Sequence, residues 1–415
     1  MFRSLALLSL SVLAGAPAAG RSPAHVLLVD FDDFGFDLLR GTPTPTLDWI
    51  EANGRAFTSF TTSPICSPTR AMIMTGAYPS HPDLLLGSVI RSNSEWSMPL
   101  HPLEPLPRIV ADAGLTTAKI GKWHLASPSD EDHPNDAGWQ HYAGVRGNVG
   151  AADSSYTSFP KTVNGMTAVV DGVYLTTDET DDAIACVRAC VDLVSLSYHA
   201  PHRPWHTPPA SLHTISPITS DLDRARAMVQ AADAELGRLL REALARDYLV
   251  LVFGDNGTPN ALGGAKGSVR DPGIVVPCFA IGPGVRPGVD ATPIGAQDIY
   301  ATAAEILGVS AGGEHRGPHS RSFVDALGGA GAERRWSYSE RFWANGTDPR
   351  SASIEWRRAI RGERFKLVRE ELFDQEAFYD LAIDPMESND LLGQDGLSPE
   401  ADAALLLFRQ TLDRL

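Results

Sequence analysis

The sequence predicts an α/β protein in which a large, mainly parallel sheet flanked by helices is followed by a small C-terminal antiparallel-sheet subdomain. Three observations carry this expectation. Two β-rich apolar runs, His25 to Phe31 and Tyr248 to Phe253, each stop abruptly in acidic residues and glycine, DFDDFG and FGDNG. A helix-length amphipathic segment, ARAMVQAADAELGRLLREAL, separates them, the alternation that covers both faces of parallel strands. After Leu327 the texture changes to GGAGAERR and then to short strand-like runs.

Taken in order, the chain opens on MFRSLALLSLSVLAGAPAAG, one Arg ahead of the apolar run Leu5 to Ala14 and a small-residue stretch. This reads as a cleaved secretory signal over 1–20, because the run is too short to cross a bilayer. Export to a periplasm or to the outside is expected. No later run reaches about 18 apolar residues, so no membrane span is expected in the mature chain. The main α/β domain is placed at 21–330, with further strands at Val191 to Tyr198 and Val275 to Ile281. A hinge follows, and a small α+β subdomain at 331–415 takes in WSYSERFW, EWRRAIRG, RFKLVRE and EAFYDL before a terminal helix from Ser398 to Leu415.

The chain has 415 residues, 35 of them Lys or Arg against 51 Asp or Glu, a net charge of −16, and is 43% hydrophobic. That composition supports a sizeable core and excludes disorder, collagen and small disulfide scaffolds. The acidic excess opposes nucleic-acid backbones, so no nucleic-acid partner is expected, and an anionic substrate needs a local cluster of cations. Four cysteines do not make a disulfide framework. Cys186 and Cys190, four apart in a helical pattern, are either a strained local disulfide or core packing, and disulfide geometry favours packing. Cys278 reads as a buried strand residue, whereas Cys66 sits between prolines in a loop.

Asp32 and Asp33 follow the strand HVLLVDF. Adjacent carboxylates at a strand end repel unless a cation or donors neutralise them, which makes them candidate ligands for a hard ion. Asp255 and Asn256 repeat the situation after LVLVFG. Three carboxylates and an amide oxygen suit Ca²⁺, with Mg²⁺ an alternative, and suit zinc poorly. The string Cys66-x-Pro68-x-Arg70-x-x-x-x-Thr75-Gly76 is long enough to be specific. Taken singly, Lys122 is an ordinary surface lysine, His124 and His202 are structural histidines, and Lys266 is a loop charge.

In combination these strings resemble the sulfatase family of the alkaline-phosphatase-like superfamily. The opening strand and first helix, HVLLVDFDDFG and TPTLDWIEANGRAFTSF, are followed in the family's order by the Cys66 motif, GLTTAKIGKWHLA, SYHAPHRP, VFGDNG and FYDLAIDPMESNDL. The resemblance implies a sulfuric ester hydrolase in which a formylglycine-generating enzyme oxidises Cys66, the hydrated aldehyde being the nucleophile. It implies Asp32, Asp33, Asp255 and Asn256 as metal ligands, with modified Cys66 completing the shell. It also implies Arg70 and Lys122 at the diol and His124, His202 and Lys266 around the sulfate. In that scheme Asp255 accepts a proton from the diol, His202 with Lys266 protonates the leaving alcohol, and His124 removes the second diol proton.

The chain departs from the pattern at Thr69, where the family usually has Ser, at Ala126 for Gly and at Gly254 for Ser. GSVRDPGIVVP after Lys266 also lacks the usual Glu-Gly-Gly. No motif in the loop from Ser127 to Asn164 names the substrate, which is a sugar, aryl or small-metabolite sulfate. Two other functions fit the same strings: a formylglycine-dependent phosphodiester or phosphonate-ester hydrolase, and a non-catalytic binder of sulfated glycan.

Overall fold

The computed structural model describes residues 24–150, 154–331, 335–343, 345–394 and 396–415. The expected signal, 1–20, and part of the Gly-rich stretch after Leu327 lie outside the described residues.

Ten strands form one sheet. Its centre is five parallel strands in the order His141–Gly144, Thr117–Gly121, Leu193–Tyr198, His25–Phe31 and Tyr248–Gly254. The hairpin Ser158–Val163 with Met166–Asp171 extends one edge antiparallel. Cys278–Ile281, antiparallel to Tyr248–Gly254, begins the other edge, followed by Arg55–Phe57 and Gly288–Asp290.

The central strands are continuous apolar runs because helices cover both faces. Alternate residues serve opposite cores. Leu27, Val29 and Phe31 pack with Leu175, Val187 and Leu236, which lie on the helices Leu175–Arg188 and Asp221–Leu244. Val26 and Leu28 pack with Met72, Ile299 and Ala303, from the helices Cys66–Thr75 and Asp298–Ile306. The long helix starts where Ser220 accepts a hydrogen bond from the Asp223 amide and Asp223 reciprocates, a capping box that satisfies its first free donors.

Ser337–Phe342, Trp356–Arg361, Phe365–Glu370 and Gln375–Asp380 form a separate four-stranded antiparallel sheet. Helix Pro399–Leu412 packs on it through Leu405 and Phe408. This sheet is seated on the main body: Tyr78 and Tyr338 rings lie 4.5 Å apart, and Ser339 Oγ donates to the Thr62 carbonyl at 2.8 Å.

All four cysteines are unbonded. Cys186 is buried and packs as expected, but Cys190 is exposed, beyond the helix end in a left-handed conformation (φ 57°) that turns it away from the core. Cys278 is buried in its strand.

Candidate active site

Strands that run parallel deliver their carboxyl ends to one edge, so the residues that follow them converge. Asp32 and Asp33 follow His25–Phe31, Asp255 and Asn256 follow Tyr248–Gly254, Lys122 and His124 follow Thr117–Gly121, and His202 follows Leu193–Tyr198. Cys66 is the first residue of the fully buried helix Cys66–Thr75, where the positive end of the helix dipole favours negative charge. Asp33 (φ 68°) and His124 (φ 58°) adopt left-handed backbone that non-glycine residues avoid, a strain held by the surrounding fold. Gly254 accounts for one departure from the motif: a Cβ there would lie 2.2 Å from the Phe34 carbonyl oxygen. Thr69 keeps the hydroxyl of the residue it replaces and donates it to the Ser63 and Ile65 carbonyls at 3.1 and 3.2 Å.

All of the sequence-nominated side chains come together. Arg70 Nη2 contacts Asp255 Oδ2 at 2.8 Å and Asp30 Oδ2 at 3.0 Å. Lys122 Nζ donates to Asp32 Oδ2, both side chains being 0% exposed, and Lys266 Nζ donates to Asp33 Oδ1. Asn256 Nδ2 donates to Asp33 Oδ1 at 2.8 Å, and His202 Nε2 stands 4.0 Å from Asp33 Oδ2. Cys66 Sγ lies 3.4 Å from His124 Nδ1. The loop bearing Lys266 is tied to the loop before Cys66, since the Gly267 amide donates to the Pro64 carbonyl at 2.9 Å. From the other side the small sheet grips the same loop: Arg341 donates to the Gly267 carbonyl, and Asp271 receives Arg361 at 2.7 Å and buried Lys366 at 2.8 Å.

Two tautomers follow from carbonyl partners, which accept only. His124 Nε2 faces the Ile90 carbonyl at 3.0 Å, so Nε2 carries the proton and Nδ1 offers its lone pair towards Cys66. His202 Nδ1 faces the Arg203 carbonyl at 2.7 Å, which leaves Nε2 open towards Asp33.

Burial is the largest influence on every titration here, and charge partners decide where each group ends. Burial works against the Asp32 carboxylate, yet Lys122, His202, Lys266 and Arg70 hold it well below the usual carboxylate range. Asp255 is pushed up to about 8 by burial and by Asp32 beside it. Burial also raises the Cys66 thiol and lowers His124 well below its ordinary value, helped there by Lys122, and lowers His202 to about 4. A buried thiol with a raised pKa is a poor thiolate nucleophile.

The oxygen donors of this set fit a divalent ion. Asp32, Cys66 and Asp255 bring one ligand atom each within 4.8 Å of one another, as do Asp32, Asp33 and His202. Asp32 Oδ1 and Asn256 Oδ1 are buried acceptors with no hydrogen-bond partner, which is costly unless a cation takes them.

Sequence reasoning missed Asp30 and the polar row behind it. Ser197 Oγ donates to Asp30 Oδ1, and Lys119 Nζ donates to Ser195 and Ser197 Oγ. Burial lowers Lys119 to about 7. The available signal was a carboxylate inside an otherwise apolar strand, HVLLVDF. With Asp30 and Lys119 included, four carboxylates (Asp30, Asp32, Asp33, Asp255) meet four potential cations (Arg70, Lys119, Lys122, Lys266). A divalent ion added to this balanced set makes it an anion receptor inside an acidic protein. Two histidines outside the reacting set make structural contacts: His199 Nδ1 pairs with Glu179 at 2.6 Å, and His133 takes the Trp123 indole N–H at 3.2 Å.

A cleft of about 1390 Å³ opens from His124 and His202 between the segments 89–93, 145–150 and the edge hairpin.

The sulfatase family model matches residues 24–309. Bovine (Bos taurus) arylsulfatase A is 28% identical over 351 residues, 72% of this chain and 67% of that protein. N-acetylgalactosamine-6-sulfatase of Mus musculus is 33% identical over 149 residues, 33% of this chain and 28% of that protein. The match to Mus musculus arylsulfatase J spans only 46% of that protein. Among solved structures, Ps i-CgsB in complex with k-i-k-neocarrahexaose superposes with a TM-score of 0.76 at 21% identity, covering 89% of both chains. BT4656 in complex with D-glucosamine-2-N,6-O-disulfate gives 0.74 at 18% identity, covering 95% of this chain and 98% of that one, and both likenesses are of fold.

Proposed function

Because the chain belongs to the sulfatase family of sulfuric ester hydrolases, we propose that it cleaves a sulfate ester, of a sugar, an aryl alcohol or a small metabolite, to alcohol and inorganic sulfate. The observation that carries this reading is the placement of Cys66 at a buried helix start, 3.4 Å from a base nitrogen and within 4.8 Å of carboxylate oxygens of Asp32 and Asp255. Oxidised to formylglycine by a generating enzyme, residue 66 supplies a hydrated aldehyde as nucleophile. Asp32, Asp33, Asp255, Asn256 and residue 66 would hold a Ca²⁺ or Mg²⁺ ion, which supplies Lewis-acid stabilisation of negative oxygen.

The chain's own residues do the rest. Asp255, close to residue 66, accepts the proton of the attacking hydroxyl; burial and Asp32 raise its pKa, and a cation held beside it would favour the ionised form that can accept. Arg70, whose buried Nε has no acceptor, joins Lys122 and Lys266 in stabilising charge on the sulfuryl oxygens, in a dry site where such donors act strongly. His202 Nε2 is open to a proton, and an arriving anion favours the protonated form that gives it to the leaving alcohol. His124 Nδ1 takes the proton of the second hydroxyl at residue 66, so the carbon–oxygen bond to the bound sulfate breaks, inorganic sulfate leaves and the aldehyde re-forms without water attacking sulfur. Export is part of the proposal and is supported by the apolar segment Leu5 to Ala14. Among the described residues no helix is long and apolar enough to cross a membrane.

Mass spectrometry of the peptide spanning Ser63 to Arg70, paired with turnover of aryl sulfate and aryl phosphodiester substrates, tests the reading. The expected result is loss of sulfur and gain of an aldehyde at residue 66, preference for the sulfate, and no turnover by Cys66→Ala. Active protein with its thiol intact would sink it, and preference for the phosphodiester would replace it.

A further inference from the structure

The cleft beyond the reacting position has an unusual charge. The chain carries 51 Asp and Glu against 35 Lys and Arg, yet no Asp or Glu stands among the described residues that line the cleft, whereas Arg91, Arg146 and Arg203 do. Arg146 is engaged, with Nη2 on Glu131 Oε1 at 3.1 Å. Arg91 and Arg203 are exposed and have no carboxylate partner among the described residues.

Their mounts are fixed to the two site histidines. Arg91 follows Ile90, whose carbonyl holds His124. Arg203 follows His202, and that turn is pinned by buried Tyr156, whose hydroxyl meets the His199 and His202 carbonyls at 2.8 and 2.7 Å. The volume of about 1390 Å³ exceeds the roughly 300–1,000 Å³ of ordinary small-molecule pockets, so the cleft has room for more than one sugar ring.

We propose that this cleft is an oligosaccharide subsite in which Arg91 and Arg203 hold a second anionic group, sulfate or carboxylate, of the substrate whose ester is cleaved at residue 66. The proposal rests on the sulfatase reading and narrows its substrate to a saccharide carrying at least two negative charges. Guanidinium suits this task because its planar donors match the oxygens of either anion. Each exposed pair contributes modestly, so the two arginines together give a preference of about tenfold.

The test compares a galactose disaccharide bearing one sulfate with the same disaccharide bearing two, on wild type and on Arg91→Ala/Arg203→Ala. Wild type is expected to favour the disulfated form about tenfold in kcat/KM, through KM, and the double variant to lose that ratio. The ratio cancels any fold defect that lowers both rates, and it should shrink as NaCl is raised. Calorimetric titration of the Cys66→Ala protein with the same two sugars, with and without the arginine substitutions, reads the preference without turnover. A binding preference that depends on the arginines, found together with a wild type that hydrolyses neither sugar, would support this subsite and count against the sulfatase reading. Equal handling of the two sugars by wild type, or a ratio that survives in the double variant, overturns the subsite and leaves the sulfatase reading standing.

Discussion

Lys122→Met isolates the energetics of the site's deepest ion pair. Lys122 and Asp32 are both fully buried, and Asp32 Oδ1 already lacks a hydrogen-bond partner. Methionine fills the lysine's volume while removing the charge that does most, after burial, to set the Asp32 titration. Stripping one partner from a buried pair costs about 3–5 kcal/mol, because the remaining charge is stranded. Unfolding a chain of this length carries an entropy of roughly 0.9 kcal/mol per degree, so the thermal midpoint in chelator should fall by about 3–6 °C. Adding Asp32→Asn removes the stranded charge and should recover most of that loss, whereas turnover should stay absent in both variants. The assay is thermal unfolding of the four proteins of the cycle, with aryl sulfate turnover alongside. A Lys122→Met protein as stable as wild type, or a double variant no better than the single one, would refute the reasoning.

Ca²⁺ added to chelated protein at a hundred times its dissociation constant should stabilise it by about 2.7 kcal/mol, and Asn256→Ala should lose most of that gain in the same thermal scan. Folding lowers the His202 pKa to about 4, mainly by burial, so between its ordinary value of 6.5 and 4 the unfolded chain binds the proton and the folded chain does not. Stability from this group is therefore present above pH 6.5 and lost as pH falls towards 4; His202→Gln should flatten the acid limb of a stability–pH curve by up to about 1.4 kcal/mol per pH unit. Lys366→Met, far from the chemistry, should lower kcat on the order of tenfold by loosening the Lys266 loop, with residue 66 still oxidised in the mass spectrum. An unchanged kcat would show that the small sheet does not position that loop.

Much of the site was legible because its residues sit in strings that punctuate strands. DFDDFG, GKWHLA and FGDNG each mark a strand's carboxyl end, and parallel packing then brings them together without further information. What lay beyond reading is held by pairs remote in sequence. Asp30 looked like one more strand residue until the fold set it beside Arg70 and, through Ser197, near Lys119. The Ile90 carbonyl that fixes the His124 tautomer belongs to a segment without any motif. The edge hairpin was missed for a different reason: Met166–Asp171 is largely exposed, so no buried apolar run announces it. Cys190 was misplaced because helical spacing continues past Arg188, while the backbone turns left-handed at Cys190 itself.

The grip of the small sheet on the 266–271 loop bears on how the protein is made. Synthesis runs from the amino end, so the segments carrying Asp32, Cys66, Lys122 and His202 leave the ribosome well before Arg341, Arg361 and Lys366. Until those late cations arrive, the loop bearing Lys266 lacks its anchor on that side. In the finished fold residue 66 is 2% exposed, closed to contact with another protein. On the proposed route through an oxidised residue 66, the last fifth of the chain would act as a timer, closing the interval in which that side chain can be reached.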